Sequence, residues 1–475
     1  MAAEIDLFAI RRGSVTAPAG CGKTHLIATN LLEHDYEKPA LILTHTVAGV
    51  AALRGRLQRL GVPSGAYRLM TLDGWAIKLA TLFPARCGVP REVLRITNTR
   101  TDYQTIQKAA ADLAKAGHVD DILAASFSRQ IVDEYQDCSQ LQHALVYYSS
   151  RSLPTAVLGD PMQAVFGFNG PLPNWDTNVL KYFPSAGELK TPWRWINAGT
   201  EAFGRWLLQV RKALKDGQTV DLRDAPPEVR WMHLDGTEDH QRRLRAGLSK
   251  VEGGEGTVLI MGDSRKPQNQ RLFASQTPGA VTVESVDLKD FIQFAMDFRL
   301  DAPGALGKLL GFAESVMTNV GATDLQRRVA TLLAERQRKE ATETEQAALA
   351  FEQERTFKRA VELLVEVSKR PGTRQHRPTV MSAGIRALNA ANQDDPLSLH
   401  EAALRAREEN RFRGRQLPAR GVGSTLTLKG LEAEVAVILD VTEMDAKHLY
   451  VAMTRGSKML VVCAASPVLR PVAVS

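Results

Sequence analysis

Ala17-Pro-Ala-Gly-Cys-Gly-Lys-Thr24 is the stretch whose reading decides the fold. A short β-type run, Ser14–Thr16, precedes it, and a helical pattern from Thr24 to Leu32 follows. In a strand-to-helix turn, small residues let backbone N–H groups approach a phosphate, and the helix contributes the positive end of its dipole. Ala17, Pro18, Ala19, Gly20, Cys21 and Gly22 form that loop. Lys23 is placed to reach the β- and γ-phosphates, and the Thr24 hydroxyl to bind Mg²⁺. Ala17 stands where the general pattern has glycine. A glycine-rich link without a ligand is the plainer alternative, and the Gly-Lys-Thr ending in this context argues against it.

Outward from the loop, short apolar runs alternate with helical stretches. The expected strands are Ser14–Thr16, Ala40–Thr44, Arg68–Thr71, Gln130–Asp133, Thr155–Leu158, Val258–Met261, Val435–Asp440 and Met459–Cys463. Helices between strands predict a parallel α/β architecture. Pro303–Arg420 has another texture, rich in Ala, Glu, Arg and Gln, and reads as an all-helical insertion.

Two further motifs deliver acids to the edge of such a sheet. In Ile131-Val-Asp-Glu-Tyr-Gln-Asp137 an apolar strand ends in adjacent carboxylates. Asp133 suits Mg²⁺, and Glu134 suits orienting and deprotonating an attacking water. Ala156–Gly170 carries Asp160 and Gln163 out on another strand, and ligands gather beyond the carboxyl ends of strands in open α/β sheets. Gln163 can hydrogen-bond both water and phosphate. Phe166 suits a packed core as well as a binding surface.

Composition sets wide limits. The 475 residues can bury two or three cores, and 44% hydrophobic with 24% charged residues is ordinary for a globular protein. A net charge of +7 favours polyanionic partners without requiring one. Cys21, Cys87, Cys138 and Cys463 are scattered, which argues against zinc and a disulfide framework and fits a reducing cytoplasm. The first residues do not read as a signal peptide, and no apolar run approaches the ~18 residues of a membrane span.

Three later blocks follow in order: Thr191-Pro-Trp-Arg-Trp195, Thr427-Leu-Lys-Gly-Leu-Glu432 and Tyr450-Val-Ala-Met-Thr-Arg455. With the earlier motifs they resemble the UvrD/Rep/PcrA group of superfamily 1 helicases. The resemblance implies two RecA-like P-loop NTPase cores, ATP with Mg²⁺, and movement 3′-to-5′ on single-stranded DNA or on DNA with single-stranded ends. It divides the chain into a first core (1–75 and 125–190) with a reduced helical insertion (76–124). A second core (191–300 and 421–475) follows, with a mostly helical insertion (301–420).

By the same resemblance Arg194 and Arg455 are arginine fingers, Glu432 contacts the ribose, and Gly430 with Lys429 reports nucleotide state. Helix capping is the ordinary alternative for the Lys429–Glu432 turn. Thr44-His-Thr46 and Thr71-Leu-Asp-Gly74 look like the blocks that contact single-stranded DNA. Phe168 stands where the family has a stacking tryptophan and His45 where it has a stacking phenylalanine. Trp75 and Trp195 are further stacking candidates, although both also suit a core. Asn169 replaces a family arginine. Six arginines between Arg405 and Arg420 fit either phosphate contacts or a solvated helix face.

The departures carry information too. No glutamine lies upstream of the P-loop, so the adenine-reading motif is missing and preference for ATP is not specified. Leu426 and Asp73 replace histidines of the pattern. Both insertions are compact, so translocation can survive where unwinding is weak. Compactness and Thr71–Gly74 also resemble the helicase-like subunit of Gabija-type anti-phage systems, which works with a nuclease partner. Glu188-Leu-Lys190 superficially matches a nuclease motif, but it lies on the strand before the Thr191 block and reads as structure. An NTP-gated subunit that senses DNA for a nuclease, without processive movement, is the second functional reading.

Overall fold

Strands that lack a polar face need cover on both sides. β2 (Ala40–Thr44) and β5 (Thr155–Gly159) are buried at every position, so they sit inside a sheet clad on two faces by helices. Together with β1 (Arg12–Thr16), β3 (Tyr67–Thr71), β4 (Gln130–Val132) and β6 (Ser185–Glu188) they form a six-stranded sheet in the order β3-β2-β4-β5-β1-β6. Its pairings are parallel: Leu43 lies beside Met70 and Val132, and Thr16 beside Gly159 and Glu188. The computed structural model describes residues 4–34, 37–96, 98–166, 172–251, 254, 256–285, 287–392, 398–412 and 417–473.

The remaining strands are β7 (Val220–Asp221), β8 (Val229–His233), β9 (Val258–Met261), β10 (Val281–Thr282), β11 (Met317–Thr318), β12 (Arg374–Gln375), β13 (Arg420–Gly423), β14 (Ala433–Ile438), β15 (Gly456–Ala464) and β16 (Val468–Leu469). Six of them make a second sheet in the order β10-β13-β9-β14-β15-β8, in which β10–β13, β13–β9 and β9–β14 pair in parallel. β11–β12 and β7–β16 are short antiparallel pairs. The expected α/β architecture, two parallel-sheet cores, is present. Each predicted strand forms within a few residues of its expected bounds, whereas β8, β10 and β13 have no strong apolar run and escape sequence reading.

The chain divides into two compact units. One holds Met1–Trp231, Val441–Leu460 and Ser466–Ser475, the other Met232–Asp440 and Val461–Ala465. Segments 191–231 and 441–460, expected in the second core, therefore fall with the P-loop. The helices of 72–126 bury Trp75, Ala76, Leu79, Ile106, Ala110 and Leu123 in one cluster with Leu43, Val132 and Val157 of the sheet. They clothe the first sheet. In the second unit the long helices Ala305–Val316, Ala322–Leu333, Glu343–Gln353, Phe357–Lys369, Pro378–Ala391 and Leu399–Phe412 share one apolar core. Leu288, Phe291 and Phe298 join that core, so the helical cluster starts near 288. No helix among the described residues is long and apolar enough to cross a membrane.

Candidate active site

In the first sheet β5 lies between the P-loop strand β1 and the acidic strand β4, and all three run parallel. Their carboxyl ends therefore deliver residues 17–24, Asp160 to Gln163, and Asp133 with Glu134 to one edge. The helix Lys23–Glu33 has Gly22 as its N-cap, at φ 85°, and no capping side chain. Its first amides thus offer donors and the positive dipole end to an anion. Gly20 is also at positive φ, 71°. A Cβ there would sit 2.4 Å from the Trp195 ring, so both backbone geometry and packing require glycine. The rest of the loop is tied internally. Ala17 N–H donates to Gly159 O at 2.8 Å and Cys21 N–H to Pro18 O at 3.2 Å, and the Arg194 amide donates to Gly20 O at 3.0 Å.

Lys23 Nζ lies 2.9 Å from Asp133 Oδ1 and 2.5 Å from Glu134 Oε1. Burial disfavours its charge, but the two carboxylates outweigh burial and the ammonium pKa is raised. Burial is also the main cause that raises the Asp133 pKa, against the Lys23 charge. Glu134 sits at φ 55°, a left-handed conformation uncommon outside glycine. Its amide donates to Asp133 Oδ1 at 2.9 Å, and Gln136 Nε2 donates to its Oε2 at 2.6 Å. Such strain, held by surrounding bonds, is typical of functional turns.

Gln163 Nε2 donates to Asp160 Oδ2 at 3.2 Å, and Arg455 Nη2 donates to Gln163 Oε1 at 3.5 Å. Arg455 is buried and its Nε donates to Val451 O at 2.8 Å. Arg194 Nη1 donates to Thr454 O at 2.6 Å. Lys23, Asp133, Glu134, Gln163, Arg194 and Arg455 thus share one unit. Gly430, at φ 83°, and Glu432 lie in the other unit, in the turn between the short helix Thr425–Leu428 and β14.

The donor set fits a magnesium nucleotide. Mg²⁺ takes one or two protein oxygens beside phosphate and water, and Asp133 and the Thr24 hydroxyl would be the oxygens to hold it. Arg56 Nη1 donates to Thr24 Oγ1 at 3.4 Å. The uncapped helix start and Lys23 suit the phosphates.

The residues expected to contact DNA divide. His45, at the carboxyl end of β2, stacks on Phe166 with centroids 6.1 Å apart and planes inclined 24°. Thr71 caps the helix Leu72–Leu82, its Oγ1 accepting from Gly74 N–H at 2.9 Å. Phe168 and Asn169 lie outside the described residues. Three expectations need correction. Trp75 is 2% exposed and packs in the sheet's helical cover. Trp195 is 1% exposed, packs against Gly20, and its indole N–H donates to Gly456 O at 3.0 Å. Neither ring face is open to a base. Thr44 is likewise buried. Asp73, the histidine replacement, accepts from Gln107 and Gln142 at 2.7 Å each, a structural tie among three helices.

Sequence reading missed four neighbours of the site. Trp193 lies against Gly22, the Tyr450 hydroxyl accepts from Ala19 N–H at 3.1 Å, Gln136 bridges Glu134 to the Asp160 amide, and Arg211 pairs with Asp160. For Arg211 a signal exists. The helix Glu201–Lys215 buries Phe203, Gly204, Leu207, Val210 and Leu214, and an arginine at 211 falls on that apolar face. A charge there demands a partner.

Residues 91–180, which contain Asp133, Glu134, Asp160 and Gln163, match the family model described as the UvrD/REP helicase N-terminal domain. This stretch is similar to that domain. Over this stretch the match agrees with the motif resemblance to superfamily 1 helicases. Among solved structures, the Pif1 helicase from Candida albicans is similar over 96% of this chain and 92% of its own, at 11% identity and a TM-score of 0.39. No curated protein matches the chain.

Proposed function

We propose that this UvrD-like chain hydrolyses ATP with Mg²⁺ to move 3′-to-5′ along single-stranded DNA. The observation that carries the reading is the gathering of Lys23, Asp133, Glu134, Gln163 and Arg455 at one carboxyl edge of a parallel sheet. Lys23 and the amides at the start of its helix bind the β- and γ-phosphates. Thr24 and Asp133 would hold Mg²⁺, which would supply charge neutralisation at the phosphate oxygens. Glu134 orients a water and takes its proton as the water oxygen attacks the γ-phosphorus and the bond to the β,γ-bridging oxygen breaks. Gln163 contacts the γ-phosphate, and Arg194 and Arg455 stabilise its charge in the transition state.

DNA is held through His45, Phe166 and the adjoining Thr71 turn; Phe168 and Asn169 join them by the motif resemblance alone. The direction of movement rests on the motif resemblance. The test is streptavidin displacement from 3′- and 5′-biotinylated single strands. ATP-dependent release from the 5′ end alone is expected, and nucleotide binding without displacement at either end would replace the motor by an NTP-gated sensor. The compact insertions and Thr71–Gly74 extend the reading to anti-phage defence with a nuclease partner. Co-purification of a nuclease with the full chain is the expected result, and a chain purified alone removes that extension.

A further inference from the structure

We propose that Arg211 is a positioning residue for hydrolysis, fixing Asp160 so that Gln163 and Glu134 are held in register with each other. This rests on the hydrolytic reading of the site. Arg211 extends from the helix Glu201–Lys215, and no motif contains it. Its Nε donates to Asp160 Oδ1 at 3.0 Å, its Nη2 lies 2.9 Å from the same oxygen, and its Nη1 donates to Glu188 Oε1 at 2.8 Å. Arg211 and Asp160 are both buried, at 8% and 1% exposure.

Asp160 spends the rest of its hydrogen-bonding capacity on the site. Oδ1 also accepts from Met162 N–H at 3.1 Å, which shapes the turn Pro161–Gln163, and Oδ2 accepts from Gln163 Nε2 at 3.2 Å. The Asp160 amide donates to Gln136 Oε1 at 3.1 Å, and Gln136 in turn donates to Glu134. The Asp160 carboxylate therefore ties down Gln163, proposed to face the γ-phosphate, while the backbone amide of the same residue ties Gln136 and through it Glu134. A carboxylate at 1% exposure needs a fixed cation. A guanidinium supplies two N–H groups to one oxygen and a third to Glu188, a fork that a lysine cannot reproduce. Glu188 is 45% exposed at its side chain and acts only as the outer anchor.

The experiment compares Arg211→Met, Arg211→Lys and Glu188→Gln in the full chain, measuring kcat and nucleotide KM with DNA present, and thermal unfolding. Arg211→Met is expected to lower kcat about 10- to 100-fold with KM within about twofold, the pattern of a misplaced reacting group. Arg211→Lys keeps the charge and the fold, and recovers part of kcat; Glu188→Gln keeps it all. If Arg211→Met does not fold, Arg211→Lys decides alone: a reduced kcat at unchanged KM and melting temperature supports the role, and a wild-type kcat overturns it. For Arg211→Lys, loss of kcat that merely follows loss of folded protein also overturns it. A wild-type chain without hydrolysis removes the hydrolytic reading and this role with it, whereas a hydrolysing wild type with fully active variants removes this role only.

Discussion

Lys23 Nζ donates to Glu134 Oε1 at 2.5 Å, so the residue proposed to receive phosphate is bonded to the one proposed to receive the water's proton. With Asp133 at 2.9 Å the ammonium bridges two carboxylates, and phosphate binding has to compete with that bridge. Glu134→Gln removes one charge from it and the proton acceptor as well. The variant is expected to bind nucleotide at least as tightly as wild type while losing about 10²–10⁴-fold in kcat. Equilibrium titration with a fluorescent nucleotide beside a phosphate-release assay measures both. Lys23→Ala, by contrast, is expected to lose binding and hydrolysis together.

Burial separates the aromatic residues into two groups. Trp75 and Trp195 are core residues, and His45 with Phe166 form a stacked pair at the sheet edge. Trp75→Ala is expected to cost about 3–5 kcal/mol of stability, read as a fall in melting temperature. His45→Ala and Phe166→Ala are expected to leave melting unchanged and to weaken single-stranded DNA binding by about 1–3 kcal/mol each. Fluorescence anisotropy with a labelled oligonucleotide, alongside a thermal melt, sorts the four residues.

The difference between the groups shows what the sequence could carry. Strand, loop and helix around Lys23 were legible because each is local: an apolar run, a glycine turn and a helical pattern lie side by side. The acids of β4 and β5 were legible because their strands end where the apolar run ends. Whether Trp75 and Trp195 face a core or a ligand depends on what packs over them from distant segments, such as Gly456 over the Trp195 indole. The same holds for Tyr450, whose partner Ala19 is 431 residues away. The second sheet was harder because β10 is two residues long and β13 is Arg-Gly-Val-Gly, with no apolar run to announce it.

Tyr450 is 1% exposed, and burial, with the nearby Asp160 charge, pushes its phenol well above the usual range, so it stays neutral. Its hydroxyl is the acceptor for Ala19 N–H in the P-loop. Tyr450→Phe leaves that buried amide without its acceptor at a cost of about 1–3 kcal/mol. Because the loop itself is loosened, part of this loss is expected to return when a non-hydrolysable nucleotide and Mg²⁺ are added. Melting curves with and without nucleotide measure it, and an equal loss in both conditions would show that the bond serves the core alone.

In the second unit His376 is 4% exposed, and its Nδ1 has no hydrogen-bond partner among the described residues. Burial, then the charges of Arg377, Arg374 and Arg271, push its imidazole down to about 4; a hydrogen bond to the Ser315 backbone opposes them only in part. Arg377 is itself held by Glu284 at 2.5 Å and Asp290 at 2.7 Å, and Arg271 by Asp290 at 3.2 Å, so the cations around the ring are fixed. The unfolded chain takes up this proton near pH 6.5, while the folded chain resists it until about pH 4. Between those values the unfolded state binds more protons, so stability falls as pH falls. The loss is on the order of 2–3 kcal/mol across the window. Above pH 6.5 both states carry a neutral ring and the effect vanishes. Chemical denaturation between pH 4 and 7 is expected to show this slope in the wild type and a shallower one in His376→Gln, whose side chain does not titrate. Equal slopes in the two proteins would assign the acid sensitivity to carboxylates instead.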